Sequence, residues 1–152
     1  MTRAEAIARL DATVAQVAGE LPALPSPTVP HAGWGAHEVL SHIVFWHETY
    51  ARVLEPLSRG RDPILLDGVF REFNRIAVAR LRNVPDVALA ARLRRANVIV
   101  AAALAALPPG ARIRIRTGAK PRGPREFADG VDAHLRGHLA ELRHLSCARR
   151  AS

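Results

Sequence analysis

Residues 35–60 read GAHEVLSHIVFWHETYARVLEPLSRG. Val39, Ile43, Trp46, Tyr50, Val53 and Leu57 recur at alternating steps of three and four, which lays one apolar face along a helix of about 3.6 residues per turn. Leu40, His47 and Leu54 lie beside that face. Gly60 suits the left-handed residue that closes a helix. The stretch therefore predicts a long amphipathic helix from about Gly35 to Ser58-Arg59-Gly60, and such a face must be buried against other elements.

Toward the N-terminus, Ile7, Leu10, Val14, Val17 and Leu21 mark a helix from about Thr2 to Glu20. Pro22, Pro25, Pro27 and Pro30 then forbid a helix and predict an extended connection. On the other side, Val69, Phe70, Phe73, Ile76 and Ala77 predict a shorter helix to about Arg82. Pro85 suits the first turn of the next helix, with Asn83 as its N-cap. Leu93, Val100, Leu104 and Leu107 share one face of it, and Pro108-Pro109-Gly110 stops it. Arg112-Ile113-Arg114-Ile115-Arg116 alternates with period two and predicts a short extended segment. Pro124 opens the last helix, whose stripe is Phe127, Val131, His134/Leu135, His138/Leu139, Leu142 and Leu145. Four long helices and one shorter one predict an all-α, single-domain four-helix bundle over residues 1–152, with the short helix before the third long one.

Composition agrees. The chain has 152 residues, of which 49% are hydrophobic and 24% charged, which is globular usage. Aromatic residues make up only 5%, too few for the strands of a β-sandwich. No apolar run is long enough to span a bilayer, Arg92, Arg94, Arg95 and Asn97 interrupting the longest candidate. The opening Met-Thr-Arg-Ala-Glu-Ala lacks a secretory pattern, so a cytoplasmic protein without membrane association is expected. The single Cys147 excludes an intramolecular disulfide and a cysteine-built zinc site.

The net charge is +8, which raises nucleic acid as a partner. It is uneven: residues 1–66 carry a net −2 and residues 67–152 a net +10. The excess is thickest from Arg112 to Arg125, with six basic and no acidic residues. That stretch has no aromatic group for base stacking, and the chain shows no helix-turn-helix or zinc-finger pattern. The charge reads instead as surface, and as a lure for anionic substrates.

Chemistry resides in seven histidines: His31, His37, His42, His47, His134, His138 and His144. His134 and His138 are i and i+4 on one helix, within reach of a common ion, and both fall in the apolar stripe. Imidazoles in a bundle core need partners, since unsatisfied buried polar groups are costly. A third ligand must come from another helix. His37, His42 and His47 are spaced by five, each step turning about 140°, so they fan around their helix. Spacing leaves His42 and His47 as rivals. His31, in the proline-rich connection, and His144, near the chain end, are expected to be solvated.

The run from Gly33 to Glu48, with Trp34 ahead of the helix and His42-Ile43 one turn before Trp46, resembles the helix-two signature of the DinB-like superfamily. Trp46-His47-Glu48, Arg71-Glu72-Phe73-Asn74-Arg75 and the Phe127–His138 segment lean toward its ClbS/DfsB-like branch. Related bundles include bacillithiol transferases and mycothiol-dependent maleylpyruvate isomerases. The resemblance implies a divalent metal held by His42, His134 and His138. Two positions depart from the pattern. Gly35 stands where a Ser or Thr completes a capping box with Glu38, and Gly137 stands where the branch often has an acidic residue.

Three neutral imidazoles leave an ion an open position for water or a thiolate. Zinc or nickel is the expected ion, with a low-molecular-weight thiol as co-substrate. The implied activity is that of a metal-dependent hydrolase or thiol S-transferase acting on a small electrophile. Glu38, one turn before His42, is a candidate to orient it or serve as base. Trp46 and Tyr50 are expected to pack in the core rather than line a pocket, and His47 stays a neighbour of the site. Asn97 is the most plausible further polar group facing the site. The competing classes are a non-catalytic stress or interaction bundle, which could form a homodimer through the first helix, and an Arg-rich nucleic-acid binder.

Overall fold

The computed structural model describes residues 1–24 and 33–150, side chains of 148–150 excepted. The expectations for Pro25, Pro27, Pro30 and His31 lie outside the described residues. The elements are α1 (Arg3–Glu20), a 3-10 turn (Leu21–Ala23), α2 (Ala36–Ser58), α3 (Phe70–Leu81), α4 (Asp86–Ala106) and α5 (Pro124–Arg150). This is an all-α bundle of four long helices, with the short α3 ahead of α4.

Each helix starts for a local reason. Thr2 Oγ1 accepts from the Glu5 N–H at 3.2 Å, and Glu5 accepts from the Thr2 N–H at 2.6 Å, a capping box that satisfies two otherwise orphaned donors. At α2 only half of the box exists. Gly35 has no side chain to offer, but the Gly35 N–H still donates to Glu38 Oε2 at 2.9 Å. At α4 the expected cap is corrected: Asn83 gives no side-chain hydrogen bond, and Pro85 itself is the N-cap. The Pro85 carbonyl accepts from Ala88 and Leu89, and its fixed φ delivers the chain into the first turn. Gly60, at φ 72°, closes the end of α2.

The core follows the apolar stripes. Leu10, Val14 and Val17 of α1 meet Leu89, Leu93 and Val100 of α4 and Leu135, Leu139 and Leu142 of α5, all buried. The apolar stripe of α1 is thus covered inside the bundle. α2 packs along α4, while α1 packs on both α4 and α5. Fixed charges lock two of these seams. Fully buried Asp132 of α5 accepts from Thr13 at 2.5 Å and pairs with Arg9 at 3.0 Å and Arg136 at 2.9 Å. Arg92 forks onto Glu48 at 2.7 and 2.8 Å, the planar two-bond geometry that suits guanidinium to carboxylate.

α2 and α5, by contrast, approach each other sparsely. The wedge between them is closed by α3 and by the two long connections. The short segment expected over Arg112–Arg116 lies outside the helices, but it does not join a strand ladder. Its pairing consists of isolated bridges, Leu66 with Arg116 and Ile113 with Arg122. A lone bridge lacks the neighbouring ladder that makes a strand. Still, buried Ile113 anchors the basic connection over the wedge, and there it walls a cavity.

Candidate metal centre

His42 is carried on α2, and His134 and His138 on α5. Their positions follow from helical phase. Val131, Leu135 and Leu139 form a step-of-four series that points into the core. His134 and His138 lie one position, about 100°, to its side, facing the wedge. This corrects the expectation that both sit in the core: His42 is buried, His138 half-buried and His134 exposed at the edge. Their solvent access is what a site with an open coordination position requires.

The three rings converge. His134 Nε2 lies 3.1 Å from His42 Nε2 and 3.2 Å from His138 Nε2, and one ligand atom of each lies within 4.8 Å of the others. One ring N–H cannot serve two acceptors well, whereas a cation satisfies all three lone pairs together. An ion about 2.0–2.1 Å from each nitrogen would set tetrahedral neighbours roughly 3.4 Å apart, close to the observed contacts. The donor set fits a divalent ion.

A residue outside the expected set fixes the His42 ring. Asn74 of α3 accepts at Oδ1 from Trp46 Nε1 at 2.8 Å and faces His42 Nδ1 at 2.9 Å. The indole nitrogen can only donate, so it assigns the Asn74 amide orientation. The His42 proton then sits on Nδ1, and the Nε2 lone pair points at the cluster. Such an outer partner sets tautomer and orientation in metal sites. Trp34 packs its ring 5.3 Å from that of His42. Burial, with repulsion from His138 and His134, holds the His42 pKa down at about 3. Partial desolvation of its ring at the cluster lowers that of His134 as well. Both rings are therefore neutral near pH 7, the state that ligates.

The other histidines go elsewhere. His47 lies 3.2 Å by Nε2 from Asn97 Oδ1, and Asn97 Nδ2 donates to Asp11 Oδ1 at 2.7 Å. The carboxylate accepts only, which fixes the amide, makes His47 the donor and completes a chain across α2, α4 and α1. Asn97 thus does not face the cluster, a correction to the expectation. Burial pushes the His47 pKa down to about 4. His37 meets Asp86 at 2.5 Å, tying the starts of α2 and α4. Glu38 is engaged at the start of its own helix by the Gly35 N–H, and His144 is exposed.

Beside the cluster opens a cavity of about 660 Å³. His42, Asn74 and His134 form one end, and Trp46, Tyr50, Phe70 and Phe127 supply aromatic walls. Trp46 and Tyr50 pack against the core as expected, Trp46 buried and Tyr50 partly buried, and each also presents an edge to this pocket. Arg114, Arg116, Lys120 and Arg122 of the basic connection line the remaining side, and no carboxylate does among the described residues. Burial pushes the Tyr50 phenol up to about 12, against the opposing influence of Arg122, so it stays a neutral hydrogen-bonding group. Cys147, exposed, lies about 13 Å along the helix from His138 and is absent from the lining.

The family described as the mycothiol maleylpyruvate isomerase N-terminal domain matches residues 3–142. That match does not extend to the ClbS/DfsB-like branch. No curated protein and no solved structure matches the chain. Among the described residues, no helix is long and apolar enough to cross a membrane.

Proposed function

The chain belongs to the mycothiol maleylpyruvate isomerase N-terminal domain family, a member of the DinB-like superfamily of metal-binding bundles, and from that premise we propose that it is a metal-dependent enzyme acting on a small electrophile. The observation that carries the proposal is the meeting of the His42, His134 and His138 nitrogens at one end of an aromatic-walled cavity. A divalent ion held there by the three imidazoles, for which we propose zinc or nickel, would supply Lewis acidity and lower the pKa of a bound water or thiol.

The chain's own groups define what else happens. Asn74 keeps the His42 proton on Nδ1, so Nε2 remains a ligand. No Asp or Glu lines the cavity among the described residues, which leaves no carboxylate to act as general base. Tyr50 stays protonated and can donate to a developing negative charge. Cys147 is remote from the cavity, so a thiol nucleophile must arrive as a low-molecular-weight co-substrate. These features favour thiol transfer, with hydrolysis as the alternative use of the same position.

Cobalt substitution tests the choice. Stoichiometric cobalt(II) bound by the three histidines gives visible ligand-field bands. Addition of N-acetylcysteine then produces a thiolate-to-cobalt charge-transfer band if the thiol enters the open position. Unchanged ligand-field bands favour the hydrolytic use, and no bands in wild type contradict the metal reading.

A further inference from the structure

The Arg-rich connection does more than carry charge. Residues 113 and 122 clasp each other, Ile113 N–H donating to the Arg122 carbonyl at 2.8 Å and Arg122 N–H to the Ile113 carbonyl at 3.0 Å. With Ile113 buried, the backbone beneath Arg122 is fixed against the bundle. Its guanidinium then rests against α5 at Gly130. A Cβ built on that glycine would come within 2.7 Å of Arg122 Nη1. Glycine inside a helix is unfavourable relative to alanine, yet here its missing side chain makes the notch that admits the cation.

The other cations of the wall are placed differently. Arg116 donates to the Gly68 carbonyl at 3.0 Å and lies over the Phe70 ring, 4.7 Å from its centre. It is engaged in joining the two connections. Arg114 and Lys120 are exposed, as Arg122 is, but have no such notch. Arg122 has no carboxylate partner among the described residues. A guanidinium held at an aromatic cavity without a counter-charge is suited to bind a carboxylate in a two-bond fork.

We propose that Arg122, seated in the Gly130 notch, is the specificity-determining residue that receives the carboxylate of a flat, apolar organic acid in this cavity. Trp46, Tyr50 and Phe127 provide the walls for the apolar part. The inference rests on the cavity being the substrate site, but it requires no metal. Its test can therefore fail separately from the metal reading.

Benzoate and benzamide have nearly the same shape and differ in charge. Their affinities are to be measured by calorimetry or chemical-shift titration, with and without zinc. Wild type should prefer benzoate by about tenfold in both conditions, the discrimination of one charge-assisted fork. Arg122→Met should abolish the preference. Gly130→Ala should weaken it several-fold while leaving helicity intact and the melting temperature at or above wild type, because alanine favours the helix and displaces only the flexible guanidinium. Arg125→Met, outside the lining, should change nothing. Undetectable benzoate binding, equal affinity for the two probes, or a preference that survives Arg122→Met would overturn the proposal. A preference seen only with zinc and retained in Arg122→Met would assign the carboxylate to the ion instead. If zinc fails to bind while the preference persists and depends on Arg122, the metal reading fails alone.

Discussion

His42 and His47 sit five residues apart on α2, both buried and both neutral near pH 7, and they meet opposite fates. His42 turns toward the sparse α2–α5 seam, where its Nε2 lone pair faces two further imidazoles. His47 turns toward the tight side of the bundle, where Asn97 accepts from it and Asp11 orients Asn97. Each ring is held by an asparagine oxygen. The asparagine at His42 takes the proton of the far nitrogen and leaves the Nε2 lone pair facing the cluster, whereas that at His47 takes the proton of Nε2. The difference between a nitrogen free to ligate and a structural polar link lies in which nitrogen the amide captures.

Breaking His42 should give the largest effect. His42→Ala is expected to weaken zinc affinity about 1,000-fold, equivalent to about 4 kcal/mol, as measured by competition with a chromogenic chelator. His47→Ala should leave that affinity within a few-fold. If both variants lose zinc equally, the distinction between the two histidines is wrong.

His47→Ala should instead lower unfolding stability by about 3 kcal/mol, combining a cavity with the stranded Asn97 oxygen. Urea denaturation in the absence of metal reads this directly. A loss below about 1 kcal/mol would show that the Asp11–Asn97–His47 chain is not a structural link.

Acid offers a subtler version of the same contrast. The His47 pKa is about 4 in the fold, against about 6.5 for an unperturbed histidine. The unfolded chain therefore binds the proton first. The neutral-state stabilisation is fully present above pH 6.5 and is lost as pH falls toward 4, by up to about 3 kcal/mol. Measured without metal, the pH dependence of stability over this window should flatten in His47→Gln. An unchanged slope would remove His47 from the acid response.

Asn74→Ala sharpens the comparison on the His42 side. It should weaken zinc binding by about 10-fold, within the usual range for an outer-shell partner, with little change in helicity. Undiminished affinity would mean that the His42 tautomer is set without Asn74.

The helices were legible because their apolar stripes repeat over several turns. The bounds of α1, α2 and α3 fall within one or two residues of those expected from Leu10, Val39 or Phe73. Asn83 misled because a local capping preference gave way to the backbone geometry that Pro85 imposes. The Arg112–Arg116 alternation predicted an extended segment, but a strand needs a partner, and only single residues on each side pair. His134 and His138 were visible as polar residues within the apolar stripe. Their turn out of the core depends on a phase of one residue that periodicity resolves poorly.

Asn74 carried a similar signal, a polar group on the face shared by Phe70, Ala77 and Leu81. Its purpose appears only when α3 is placed against α2. Likewise the basic run was plain in composition, while its service as a cavity wall depends on long-range closure over the α2–α5 wedge. The rivalry between His42 and His47 could be settled from sequence only by family resemblance. In the structure, geometry separates them.

The central claim is that three histidines from two helices hold one ion. Elemental analysis of untagged protein, equilibrated with zinc and freed of excess, tests it most directly when wild type and His134→Ala are compared. The account predicts about one zinc per chain in wild type and almost none in the variant. Substoichiometric zinc in wild type, unchanged in His134→Ala, would contradict it.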